Sequence, residues 1–468
     1  GGGELVKQLL NNTWDIKAPE VVLVWLEGSP RKGIGPHDVA ISLVKAVFDS
    51  GFVKNKVLEF AGPGVKNLPI DFRNGIDIMT TETTCLSSIW VTDEEVKHHY
   101  DIHQRPEDYR ELRPGKVAYY DGMIRIDLDK QEAMIALPFH PSNAYTIHEL
   151  QADPERILRE VEEDARKRFG DKISIDLVSK VKDGKVYADQ GIIAGCSGGT
   201  YDNLAEAASI LKDQSVGNDY FTISAYPQST PVYMATTRDG IATELLEAGV
   251  VIKPAFCGPC FGAGDVPANN GLSIRHTTRN FPNREGSKPG QGQISLVALM
   301  DARSIAATAA NGGVITAATD IEYTNAHKPY EYDPKIYERR VFQGFHKENL
   351  DEELRYGPNI KDWPKMYPIQ ENMLLELAAV IHDPVTTTDE LIPSGETSSY
   401  RSNPLKLSEF ALSRRVPEYV GLSKRIQKED LERRDGRCPE KIVDVLAKVG
   451  AGTGENLFGY CVFDHSSG

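Results

Sequence analysis

The chain has 468 residues, which at about 100–200 residues per domain leaves room for roughly three domains with substantial cores. Its 53 Lys and Arg against 68 Asp and Glu give a formal net charge of −15 and a pI near 5.3; that balance repels a phosphate backbone and argues against nucleic acid as the main partner. The 6 cysteines are too sparse for a secreted disulfide framework, and no run of about 18 apolar residues offers a membrane span, so no membrane partner and a reducing, cytoplasmic setting are expected.

The opening "GGGELVKQLLNN" enters a helical pattern at once, and the closing "FGYCVFDHSSG" stops just after a strand-like run. Both ends read as cuts through a longer polypeptide. "PEVVLVWLEGSP" (19–30) is an apolar, β-rich run, "PHDVAISLVKAVFDSG" (36–51) has helical period with Gly51 as a stop, and "KVLEFAGPG" (56–64) is again strand then turn. Residues 94–117 are charged and loosely helical, and His98, His99 and His103 among them read as a solvated helix face.

A second unit begins near residue 150 with a charged helix (154–170), followed by a strand in "KISIDLVSK" (172–180). "QGIIAGCSGG" (190–199) runs as a buried strand into a Gly-rich turn, and "TYDNLAEAASILKD" (200–213) continues as a helix. "MATTRDGIATELLEAG" (234–249) predicts one further helix, leading to the strand "VVIKPAF" (250–256). Strands alternating with helices indicate an α/β architecture. Pro, Tyr and charge then mark 326–367 as a linker draped over the surface, and a third, incomplete segment occupies 368–468.

Cys257 and Cys260 stand in "CGPC", a spacing open to a dithiol, half a zinc site or part of an iron–sulfur ligand set. Cys196 lies at a strand-to-helix turn, and all three fall at carboxyl ends of predicted strands, where ligand sites collect in α/β sheets. Three converging thiols without a fourth ligand leave one metal position open, as Lewis-acid chemistry requires. The bland alternative is a small core residue and a structural turn. Cys85, Cys438 and Cys461 have no partners at ligand spacing and read as core or bystander thiols. Arg279 and Arg284 flank an Asn-Phe-Pro-Asn turn, an arrangement suited to gripping carboxylates through forked guanidiniums.

"GCSGGTYDNLAEAA", "CGPCFGAGD", "RNFPNREG" and "ISLVALMDARSIAATAANGGVIT" occur in the order and approximate spacing of the cluster domain of the aconitase superfamily. The chain resembles a divergent member, similar to aconitase-like bacterial hydratases. The resemblance extends upstream through "GSPRKGIGPHDVAISLVKAV", "EFAGPGV" and "IMTTET", covering roughly 20–325 with a weaker tail to about 402. It implies an α/β fold of three-layer α/β/α domains with mixed or parallel sheets. The expected boundaries are 1–150 for a partial first domain plus a second, 151–325 for the cluster domain, 326–367 for the linker and 368–468 for the start of a swivel domain.

The resemblance further implies a [4Fe-4S] cluster on Cys196, Cys257 and Cys260, with Glu82 contacting the iron-bound hydroxyl and Arg279 and Arg284 binding substrate carboxylates. Asp389 and Arg401 match the family's aspartate-to-arginine spacing in "TTTDELIPSGETSSYRSN", which makes Arg401 a further substrate arginine. A rival alignment would make Ser398 the catalytic serine. The family Asn two residues after the first cysteine is Gly198 here, that four before the glutamate is Ile78, and the His after Thr-Thr-Asp is Glu390. The family's Asp-Ser-His segment and Ser-Ser-Arg base motif are not matched, so the chain alone is expected to be inactive. The leading expectation is an iron–sulfur hydro-lyase of a small hydroxy-polycarboxylate. The alternatives are a non-catalytic iron–sulfur protein sensing iron or oxidant, and a site holding zinc or free thiols.

Overall fold

The structure, a computed structural model, describes residues 2–170, 174–216, 220–288, 291–353, 355–367, 374–382, 388–450 and 459–464. Contacts divide the chain into two compact units. One comprises Gly1–Cys260, Gly264–Ser287 and Gly292–Phe342; the other comprises Phe261–Ala263, Lys288–Gln291 and Gln343–Gly468.

The larger unit contains two principal sheets. In the first, β1 (Val21–Glu27), β2 (Val57–Ala61), β3 (Ser87–Trp90) and β4 (Gly122–Asp127) run parallel in the order β3-β2-β1-β4. Alternation along β1 sends Val22, Val24 and Leu26 into the core, where they join Leu58 and Phe60 of β2 and Val39 and Leu43 of the helix Pro36–Val47. Arg73 ties the helix Ile70–Ile78 to the helix Glu94–Ile102. Its buried guanidinium holds both carboxylate oxygens of Asp93 (2.9 and 2.7 Å) and the carbonyls of Leu68 and Val65.

The second sheet has seven strands. It draws on β5 (Met134–Ala136), β6 (Ala144–Thr146), β9 (Gln190–Ala194), β10 (Thr222–Tyr226), β11 (Val251–Ile252), β12 (Leu272–His276) and β13 (Leu296–Met300), in the order β11-β10-β9-β12-β13-β5-β6. A small hairpin, β7 (Val181–Lys182) with β8 (Lys185–Val186), precedes β9. The strands from β11 to β13 are parallel, whereas β5 and β6 are antiparallel additions, so the sheet is mixed. Buried on both faces, β12 and β13 are inaccessible along their whole lengths. The helices Tyr201–Leu211 and Ala302–Ala310 contribute to the same core. This α/β arrangement of parallel and mixed sheets agrees with the fold class expected from the sequence.

Two local expectations fail for identifiable reasons. The segment 174–177 is not a strand and passes into a 3-10 turn, Val178–Lys180, because the Glu162 carboxylate takes the N–H groups of Leu177 and Val178 (2.6 and 2.8 Å) away from any ladder. The remainder of that stretch lies outside the described residues. The helix expected over 234–249 is two helices, Thr230–Arg238 and Ile241–Glu247. It breaks at Asp239, whose carboxylate is engaged by Tyr201 Oη (3.0 Å), and at Gly240, whose φ of +85° is left-handed. Of the three histidines expected on a solvated helix face, His98 is exposed, whereas His99 and His103 are half-buried, packed against each other (ring centroids 4.2 Å) and, for His103, against Tyr332 (4.5 Å).

In the smaller unit β14 (Leu375–Ile381) pairs in parallel with β15 (Gly459–Asp464). Ile442 and Leu446 of the helix Glu440–Val449 form a small core with Leu374 and Cys438.

Candidate functional site

Six of the seven site residues expected from the sequence lie in the larger unit, around the carboxyl ends of its central strands. β9 ends at Ala194, and Gly195 turns the chain with φ +69° so that Cys196 opens a short helical turn, Gly195–Gly198. The geometry suits a thiol at a strand's carboxyl end, where the Cys196 and Ser197 backbone N–H groups bond the Cys196 sulfur and favour its ionised form. Cys257 and Cys260 are joined by a 3-10 turn in which the Cys260 N–H donates to the Cys257 carbonyl (3.0 Å). Cys260 Sγ lies 3.8 Å from where a Cβ on Gly195 would stand, which brings the two cysteine segments against each other.

Cys196 and Cys257 are exposed and Cys260 is half-buried, so the reading of Cys196 as a small core residue fails. Burial pushes the Cys260 thiol up to about 12, and the charges of Cys257 and Cys196 push in the same direction; Arg275 and Arg284 oppose them. Desolvation and then Cys257 likewise raise Cys196. Cys196 and Cys260, both held toward the neutral thiol by burial and by a neighbouring sulfur, belong to a donor set that a cation would stabilise. Among the described residues no three His, Cys, Asp or Glu side chains are already closed around a single point.

Glu82 sits in the 3-10 turn Met79–Thr83 and is only 4% exposed. It accepts a hydrogen bond from Arg279 Nε (2.5 Å) and another from Thr81 Oγ1 (3.2 Å). Burial raises its carboxyl above the ordinary value, while Arg279, Thr81 and Arg284 resist that rise. Arg279 also acts electrostatically on Cys196. Arg284 donates from Nε to the carbonyl of Cys260 (2.8 Å). Thus Glu82, both arginines and the three thiols share one neighbourhood. Arg401 belongs to the smaller unit, exposed just after the 3-10 turn Ser398–Tyr400, and Ser398 Oγ donates to the Gly395 carbonyl there.

Several polar residues beside the thiols were not singled out in the sequence. His276, at the end of β12, accepts the Ala302 N–H at Nδ1 (2.9 Å), and its ring centroid is 4.2 Å from that of His37. Both rings are fully buried, and desolvation drives both pKa values down, that of His276 to about 4. Among the described residues, Ser197 Oγ, Thr277 Oγ1, Asn280 Oδ1, His276 Nε2 and both His37 nitrogens are buried without a hydrogen-bond partner. Such a concentration of unpaired groups is uncommon in a structural core and is usual where a ligand or catalytic function is served. The available signal was a charged and an imidazole side chain in "LSIRH", otherwise a short strand-forming run.

Gly198 has a local explanation. A Cβ there would lie 2.2 Å from the His276 carbonyl oxygen and 3.0 Å from the His276 Cβ. The cysteine turn therefore packs its backbone directly on β12, where the resemblance leads one to expect an Asn side chain.

Residues 1–307 match a family model described as "Aconitase family (aconitate hydratase)". The chain is 26% identical over 286 residues to a 3-isopropylmalate dehydratase large subunit of Elusimicrobium minutum, covering 61% of this chain and 60% of that protein. It is 27% identical over 304 residues to 3-isopropylmalate dehydratase large subunit 1 of Thermotoga maritima, covering 65% and 63% respectively. A third such large subunit, from Nautilia profundicola, is 27% identical over 306 residues, covering 64% and 63%. The chain thus spans somewhat under two thirds of the length of these relatives. With the family match running through both principal sheets and the cysteine segments they carry, the chain belongs to the aconitase family.

Proposed function

We propose that this chain carries the cluster-binding part of an iron–sulfur hydro-lyase acting on a small hydroxy-polycarboxylate, in a reducing cytoplasmic setting. One observation supports this above the rest: three mutually accessible thiols, two arginines and a buried glutamate share the carboxyl ends of β9 and β12. The donor set fits a [4Fe-4S] cluster on Cys196, Cys257 and Cys260. It consists of thiols alone, and the unpaired Ser197 hydroxyl lies beside one of them. When bound, the cluster supplies an iron with an open position that acts as a Lewis acid.

The protein's own residues then divide the remaining work. Arg279, with 36% of its side chain exposed, and Arg284 bind and orient substrate carboxylates. Glu82, whose carboxyl is raised by burial, holds a proton at its carboxylate for a departing hydroxyl. In the ligand-free chain Glu82 and Arg279 are paired, so a substrate carboxylate competes with Glu82 for the guanidinium and releases Glu82 as it docks. Arg401 is proposed as a further carboxylate ligand on the evidence of its motif spacing. None of these groups is assigned the proton-abstracting role. The relatives' names point to 3-isopropylmalate as the first substrate to try.

The alternative is a non-catalytic iron–sulfur protein responding to iron or oxidant. It is favoured by Gly198, where the His276 carbonyl leaves no room for the Asn side chain of the family pattern. Anaerobic reconstitution tests both. Wild type should take up about four iron and four sulfide per chain and Cys257→Ala should not. 3-Isopropylmalate should then perturb the EPR spectrum of the loaded wild type. Failure to take up iron and sulfide overturns the cluster, whereas a cluster whose spectrum no hydroxy-polycarboxylate alters supports the sensor reading.

A further inference from the structure

Arg275 is fully buried in the middle of the site's framework, on a strand that exposes none of its residues. Its Nη1 donates to the Pro259 carbonyl (2.6 Å), inside the CGPC turn, and its Nη2 to the Asp265 carbonyl (3.1 Å), where the loop returns. Ser273 Oγ (2.9 Å) and Gln190 Oε1 (3.4 Å) receive its remaining bonds. All four partners are neutral. A guanidinium taken out of water is costly unless charge nearby offsets it, and the groups whose charge favours its ionised form are Glu285, Cys260, Asp265 and Tyr226, in that order.

The loop's exit is held independently. Asp265, with φ +50°, has its carboxylate bound by Tyr226 Oη (2.5 Å) and Lys253 Nζ (2.9 and 3.0 Å). Arg284 takes the Cys260 carbonyl. Arg275 is the element that reaches both the cysteine turn and the exit, and it does so through backbone carbonyls, so the loop's side chains give no sign of it.

We propose that Arg275 is the positioning residue of the cysteine loop, fixing the Cys257–Cys260 turn through Pro259 and the loop's exit through Asp265, and supplying the buried positive charge that balances the thiolates. The first half stands without any bound group; the second rests on the cluster reading above. Two variants separate them. Arg275→Lys keeps the charge but not the fork, whereas Arg275→Met keeps the bulk and loses both.

In the metal-free 468-residue chain, hydrogen exchange at the Cys260 amide, which donates to the Cys257 carbonyl, should quicken at least about tenfold in both variants, with β13 as the internal reference. In the reconstituted protein, Arg275→Met should make reduction of the cluster about tenfold less favourable, 59 mV more negative for one electron, while Arg275→Lys stays near wild type. Unchanged loop exchange in both variants overturns the positioning claim, and an unchanged potential in Arg275→Met overturns the countercharge claim. If Arg275→Met fails to fold, loop exchange in Arg275→Lys still decides the first claim and a potential shifted as far in Arg275→Lys as a lost charge demands overturns the second. A wild type that takes up no iron defeats the proposed function and the countercharge together, and the exchange result still decides the loop.

Discussion

Replacing Arg279 by Met isolates the Glu82–Arg279 pair. Glu82 is 4% exposed and its partner's side chain 36%, with Nε and Oε1 2.5 Å apart. Breaking a fully buried pair costs 3–5 kcal/mol, and the partial exposure of Arg279 reduces this to about 2 kcal/mol near pH 8. The pH dependence has a definite sign. Burial raises the folded carboxyl above its ordinary 4.5, so Glu82's contribution to stability is present below that value and lost as pH rises through the folded pKa. Removing Arg279 takes away the strongest group opposing the rise, so more stability is lost on the alkaline side. The penalty should be under about 1 kcal/mol near pH 5 and grow toward pH 8, by no more than about 1.4 kcal/mol per pH unit. Urea melts of wild type, Arg279→Met, Glu82→Gln and the double variant at both pH values measure it. In the double variant the growth with pH should vanish. Equal destabilisation by Arg279→Met at both pH values would refute the coupling, and with it the view that docking a substrate carboxylate changes the state of Glu82.

Gly198→Ala should destabilise the larger unit by about 2 kcal/mol through overpacking against the His276 carbonyl; a urea midpoint within error of wild type would show that the turn relaxes freely. Arg73→Met strands the Asp93 carboxylate and the carbonyls of Leu68 and Val65 and should cost about 3 kcal/mol in the same assay. Asp71 is raised to about 7 by burial and by the charge of Asp202, so its contribution is favourable at acid pH and is lost as pH rises through about 7. Asp71→Asn should therefore melt about as wild type near pH 4, gain on it by up to about 1.4 kcal/mol per pH unit between pH 4 and 7, and hold that gain at pH 8, with a wild-type advantage at pH 8 counting against the like-charge pair.

Much of this was legible in the sequence because its signals are local. The alternation in "VVLVWLE" and the period in "PHDVAISLVKAV" each follow from which residues face one core, and both elements form where expected. The candidate cysteine turn and arginine loop were legible as motifs because short spacings around Gly and Pro mark them, whereas Glu82 and Arg401 stood out only through the family resemblance. What the sequence could not show depends on partners far along the chain. Glu162 dissolves the strand expected at 172–180 from outside that stretch, and Tyr201 fastens Asp239 at the point where the helix expected at 234–249 breaks.

The Glu82–Arg279 bond joins residues separated by 197 positions, and Arg275 reaches Pro259 across 16. Such contacts are set by how strands neighbour one another, which composition and periodicity do not encode. The same reasoning accounts for the divergence within the family pattern. Gly198 and His276 are mutually dependent: the backbone of one rests on the carbonyl of the other, and the His276 ring then packs at a 32° tilt against His37, at the start of the helix that packs over β1. Restoring Asn at 198 alone should therefore fail to recover a family-like site, because the space it needs is closed by β12. Recovery requires that the β12 backbone draw back from the turn, which no side-chain substitution at 276 supplies, since the blocking atoms are the His276 carbonyl oxygen and Cβ; iron uptake by Gly198→Asn equal to that of wild type would show that the strand does draw back, and lost uptake that it does not.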